Sequence, residues 1–102
     1  MSQIPIDIKR VTTIVAGEPY PQTDPSGNHV SSRDGVPQWI VPVLLTSANS
    51  RPEMVRVKVA APAPPTVKPG MTVQCVGFVA TTWEMNGRHG VAYRAETFQG
   101  AG

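Results

Sequence analysis

Cysteine is nearly missing from this chain: Cys75 is the only one in 102 residues. A single thiol excludes an intrachain disulfide, and with it the small secreted scaffolds that depend on such bonds, so a cytoplasmic location is the expectation. Cys75 lies in an apolar run, where a lone thiol reads as a small buried hydrophobe. Long apolar stretches are missing as well. None reaches the roughly 18 residues of a membrane-spanning helix, and the N-terminal MSQIPIDIKR lacks an apolar signal core, so a soluble protein is expected. No window has the period of a long amphipathic helix, which leaves an all-β class. No helix-turn-helix pattern speaks for binding to a duplex operator. Charge is sparse: nine Lys and Arg against seven Asp and Glu leave a formal net charge of +2. That balance permits a polyanionic partner without requiring one, and makes the clustering of cations the quantity to follow.

The groupings that catalysis needs are also thin. His29 and His89 lie in separate polar segments with no Cys or carboxylate at metal-ligand spacing. Asp24 and Asp34 flank a Gly-Ser loop without the spacing of an EF-hand. No phosphate-binding loop, nucleophile elbow or paired acid and base can be picked out, so the chain reads as a binding protein with no enzymatic activity, cofactor or metal.

What is abundant is punctuation. Eleven Pro and nine Gly fall mostly between apolar runs and divide the chain into strand-like pieces. The first covers Ile4 to Gly17, with Ile6, Ile8, Val11, Ile14 and Val15 as its apolar set. Glu18 to Val36 is a long polar loop. Pro37 to Ser47 is the second strand, in which Pro42 argues for an edge position or a bulge. Ala48-Asn49-Ser50 is a turn, and Arg51 to Ala61 is the third strand. Ala61 to Pro69, APAPPTVKP, is too proline-rich for a helix and reads as an extended connector. The fourth strand, Met71 to Trp83, has Gly77 inside it, the mark of a bulge or sharp bend. Asn86-Gly87 and His89-Gly90 form a hairpin tip, and Val91 to Phe98 returns as the fifth strand. Residues 1–98 make one domain, and 99–102 a small frayed tail.

Within this pattern the third strand alternates most cleanly. Val55, Val57 and Val59 share the face that packs, while Arg56 and Lys58 share the other, which meets solvent or phosphate. Trp39 on the second strand and Trp83 at the end of the fourth are candidate stacking plates for bases. The hairpin turn at Ala48 to Ser50 is expected to set Trp39 beside Arg56 and Lys58. Arg88 at the hairpin tip can grip phosphate, and Arg94, Lys9 and Arg10 extend a basic surface. Tyr93 and Phe98 read as core or interface, and Tyr20 as a weaker ligand contact.

Two resemblances follow from these residues. Val67 to Phe98, with Lys68-Pro69-Gly70 before the fourth strand and the Val73, Val76, Gly77 pattern inside it, resembles the last hairpin of bacterial single-stranded-DNA-binding proteins. That likeness implies an OB-fold, a five-stranded Greek-key barrel, here with a long loop between strands 1 and 2 and a Pro-rich connector between strands 3 and 4. It also implies that Trp39 and Trp83 stack bases. The chain departs from that family in its connector and in lacking an acidic C-terminal tail. The Ile-Pro start, the Val-Ala-Gly-Glu-Pro-Tyr-Pro segment, Asp34-Gly35, Trp83-Glu84 and Gly87 to Ala95 look like small regulatory proteins of actinobacterial integrative and conjugative elements, described as activators of replication, integration and excision. Together they lead to one expectation: a single-strand binder with little sequence preference, DNA ahead of RNA, serving replication or transfer of a mobile element. Trp39, Arg56, Lys58, Trp83, Arg88 and Arg94 are its candidate contacts. The alternative is a regulatory adaptor that binds another protein, such as a replication initiator. Edge strands in so small a barrel further lead us to expect a homodimer or homotetramer.

Overall fold

The computed structural model describes residues 2–5, 11–31, 34–47 and 51–100. Among them the chain forms nine strands and no helix: β1 Ser2–Pro5, β2 Val11–Val15, β3 Tyr20–Pro21, β4 Gln38–Ser47, β5 Glu53–Ala60, β6 Thr72–Val76, β7 Val79–Met85, β8 Arg88–Arg94 and β9 Thr97–Gly100. They join in one mixed sheet in the order β1-β7-β8-β5-β4-β2-β6-β9, with β3 paired to β4 beside this path. All ladders are antiparallel except β5 to β8.

Alternation in β4 and β5 sets the centre. Trp39, Val41 and Val43 lie opposite Val59, Val57 and Val55, and directly paired residues point to the same side of a sheet. Val41, Val43, Val55, Val57 and Val59 are buried, joined by Val15, Val73, Cys75 and Phe78 from neighbouring strands. Ile40, Pro42 and Leu44 occupy the other face, opposite Lys58, Arg56 and Met54. β-Branched residues dominate the inner face because their stiff side chains fit a pleated, half-buried surface.

The sheet is all-β as expected, but its ladders form an open path that ends at β1 and β9 and does not close into a barrel. The long run Met71 to Trp83 is not one strand. It turns at Gly77, whose φ is +66°, so β6 pairs with β2 and β9 while β7 pairs with β1 and β8. The expected first strand, Ile4 to Gly17, likewise resolves into β1 and β2, which lie far apart in the order. Ile6, Ile8, Lys9, Arg10 and the expected turn Ala48 to Ser50 fall outside the described residues. The expected tail is shorter, because Gln99 and Gly100 pair with Gln74 and Val73 in the β6–β9 ladder.

Pro42 does not mark an edge: β4 is flanked by β5 on one side and by β2 and β3 on the other. The β2 ladder stops at Val43 and the β3 ladder at Ile40, so Pro42 falls in the gap between them. Its carbonyl accepts from Ala16 N at 2.8 Å on that side. In an extended strand a residue's N–H points the same way as its C=O, so the donor that proline lacks would have faced the gap. Gly17 packs against the ring there.

The described residues 18–31 and 34–37 carry their own pairings. Isolated bridges Thr23↔His29 and Ser31↔Pro37 lie beyond the β3–β4 ladder, and Asp24 Oδ1 accepts from Ser26 N and Asn28 N, each at 2.9 Å. The connector after β5 has no helix. Ala61 N donates to Pro37 O at one end, Gly70 N to Val15 O at the other, and Val67 between them is buried in the core. The β7–β8 hairpin closes more tightly than expected: Asn86 and Gly87, at φ 53° and 78°, form a two-residue turn between the paired Met85 and Arg88. No described helix is long and apolar enough to cross a membrane.

Two measurements check this frame. A Cβ on Gly77 would lie 2.8 Å from Glu96 Cγ and sit on left-handed backbone, so Gly77→Ala should lower unfolding free energy by about 1–3 kcal/mol in urea denaturation. Burial pushes the Cys75 thiol up to about 11 from 9.0, against the lowering effect of its hydrogen bond with Thr13. A thiol raised on folding contributes fully below the unfolded value and loses that contribution as pH climbs through the folded one. Wild type should therefore lose stability between pH 9 and 11 more steeply than Cys75→Ala; parallel curves would contradict the burial.

Candidate nucleic-acid interface

The register carries the outer face from β4 across to β7. Lys58 pairs with Arg94 in the parallel ladder, and Arg94 pairs with Val79. Alternation then places Arg88, Gly90 and Ala92 of β8, with Thr81 and Trp83 of β7, on the same side as Arg56 and Lys58. Tyr20 joins this face through its pairing with Ile40. Five of the six expected contacts, Arg56, Lys58, Trp83, Arg88 and Arg94, thus share one surface.

Trp39 is the exception, and its expected place beside Arg56 and Lys58 is corrected. It shares the inward side with Val41 and Val43 and lies opposite Val59. Its indole Nε1 donates to Ala61 O at 2.9 Å, and its ring meets His29 edge-on, with centroids 4.8 Å apart at 85°. His29 is itself fixed by donating from Nε2 to Gln38 O at 2.8 Å. Trp39 therefore pins the loop and the connector to the end of β4. The reason is register: with Trp39 opposite Val59 and Pro42 opposite Arg56, Trp39 takes the face of the valines, and only a pairing shifted by one residue would set it beside the two cations.

Trp83 is built as a plate. Gly90 lies directly across from it, and a Cβ there would fall 2.5 Å from Trp83 Cζ2 and 2.8 Å from Cε2. The indole therefore lies over the bare backbone of β8, and with 40% of its surface exposed it keeps area open to solvent. Beyond Tyr93 the hairpin has no ladder to β5 and runs on as an arm that ends at Arg88. From Arg94 to Arg88 this arm spans about 20 Å, at roughly 3.3 Å per residue.

Two of the cations crowd one another. Lys58 and Arg94 are direct neighbours about 4.8 Å apart across the ladder, and like charges in that position repel. Among the described residues, Arg56, Lys58, Arg88 and Arg94 make no ion pair with a carboxylate. Beside Lys58 and Arg94 a cleft of about 750 Å³ opens, bordered also by Gln38, Thr81 and Glu96. The sequence did not single out these last three. Gln38 was legible from its even spacing with Ile40 and Pro42, whereas Glu96 lies past the end of β8 and gave no periodic signal.

Tyr93 and Phe98 pack against the core as expected. Burial, and then the Glu53 carboxylate, push the Tyr93 hydroxyl above its ordinary range, and its ring lies 5.8 Å from that of Phe78. Among the described residues no group of His, Cys, Asp and Glu could hold a metal ion. No family model matches the sequence, and no curated protein is significantly similar to it.

The two tryptophans should separate in experiment. Trp39→Ala should lower unfolding free energy by about 3 kcal/mol, read by chemical denaturation, because it removes a half-buried indole and a hydrogen bond that anchors the connector. Trp83→Ala should change stability by less than about 1 kcal/mol, as expected of an exposed side chain that anchors nothing. Equal losses would contradict the assignment of faces.

Proposed function

We propose that the outer face of β4, β5, β8 and β7 binds single-stranded nucleic acid, DNA ahead of RNA, with little sequence preference. The observation that carries this reading is the convergence of Arg56, Lys58, Arg88 and Arg94 with the exposed Trp83 on one surface. A sequence-tolerant groove needs cations that follow a backbone and aromatic plates that accept any base. Lys58, Arg94 and Arg56 take the phosphates, Trp83 stacks a base, and Arg88 holds the strand farther along the hairpin.

The same reading extends to the fold. If β6 and β7 are taken as one strand bent at Gly77, the order β2, β4, β5, β8 and the bent strand is that of a five-stranded Greek-key OB-fold, with the first strand meeting the bent one through the β2–β6 ladder. The likeness of Trp83-Glu84 and Gly87 to Ala95 to regulators of integrative and conjugative elements supports a role where replication or transfer exposes single strands. A homodimer or tetramer would protect the outer edges of β1 and β9.

One observation favours the second reading, a protein adaptor. Ile14, Leu44 and Met54 form an apolar row on the outer face, and Met54 is 62% exposed. Salt separates the two, because phosphate neutralisation is steeply salt-dependent and an apolar contact is not.

Titrating a labelled single strand at two salt concentrations tests the proposal. Arg56→Ala with Lys58→Ala should flatten the logarithmic salt slope by about 1.4, at roughly 0.7 per phosphate. Trp83→Ala should weaken binding by about 1–3 kcal/mol. Wild-type protein that fails to bind at low salt would transfer the case to the adaptor.

A further inference from the structure

We propose that the cleft between β5, β7 and β8 is a subsite for one guanine base of the bound strand. The inference rests on the single-strand reading above and adds one position of sequence preference to it.

The cleft's volume of about 750 Å³ lies within the roughly 300–1,000 Å³ of sites that enclose a small ligand. Its lining includes the small residues Ala60, Gly77 and Ala92, which leave room for a flat ring. Its charges are mixed: Lys58 and Arg94 are ladder neighbours, and Glu96 lines the same cleft. A groove that held phosphate alone would gain nothing from a carboxylate, which repels the same ligand.

Glu96 is held in place. Its N–H donates to Val76 O at 2.8 Å, and its side chain lies across Gly77, where a Cβ would meet Cδ at 2.9 Å and Oε2 at 3.2 Å. Among the described residues it forms no ion pair, so both carboxylate oxygens remain available as acceptors.

Guanine answers this charge pattern. Its Watson–Crick edge presents two adjacent donors, N1–H and N2–H, to the two oxygens of one carboxylate, and its O6 and N7 are acceptors suited to Lys and Arg. Cytosine and adenine each offer one amino group beside an acceptor. Thymine offers one N–H between two carbonyl oxygens, which a carboxylate repels. Glu96 is thus a specificity-determining residue, and Lys58 and Arg94 serve both the base and its phosphate.

The test compares a short labelled oligothymidine with the same strand carrying one central guanine, for wild type and Glu96→Gln. In wild type the guanine should tighten binding roughly tenfold. The isosteric Glu96→Gln should remove that gain, so that the variant binds the two strands alike. Equal wild-type affinity for the two strands overturns the guanine subsite and leaves the single-strand reading standing. A guanine preference that survives Glu96→Gln overturns the role of Glu96. Failure of both strands to bind at low salt overturns both proposals.

Discussion

The register between β4 and β5 is the constraint on which the rest of this structure depends. Val41 against Val57 and Val43 against Val55 turn one side of the pair into core. The same register fixes Ile40 against Lys58 and Pro42 against Arg56 on the other side. A slip by one residue would bury two cations and expose three valines, at a cost of several kcal/mol for each unpaired buried charge. Core packing therefore also orders the outer face, because the two sets of side chains alternate along the same backbone.

From that centre the face extends in both directions. The parallel ladder to β8 sets Arg94 beside Lys58, and the β7–β8 hairpin carries Trp83 and Arg88 outward. Two glycines make this extension workable. Gly77 bends the chain between β6 and β7, and Gly90 leaves the space in which the Trp83 indole lies flat. On the other side, the segment around His29 and the proline-rich connector close one end of the core through Trp39, His29 and Val67.

Much of this was legible in the sequence where alternation is strict. The Val55, Val57, Val59 face and the Arg56, Lys58 face followed from a period of two, and Asn86-Gly87 announced its turn. Gly77 announced a bend. Its consequence, two half-strands at opposite ends of the ladder path, depends on long-range pairing that no local pattern encodes. Pro42 misled because proline is excluded from an interior strand only where its missing donor is needed, and here it falls in a gap between two ladders. Trp39 misled for a different reason. Proximity along adjacent strands was visible, but the face that each residue takes is set by register, which the turn residues alone did not give. Glu96 was silent because it lies past the end of β8, outside its alternation.

In the proposed interface Trp83, and not Trp39, meets the bound strand. The chain has two indole N–H groups, and each gives its own resonance in a proton–nitrogen correlation spectrum. Adding a short single-stranded oligonucleotide should shift the Trp83 indole signal and leave that of Trp39, which is bonded to Ala61 O, in place. A shift confined to Trp39, or no shift of either signal at saturating oligonucleotide, would contradict the account.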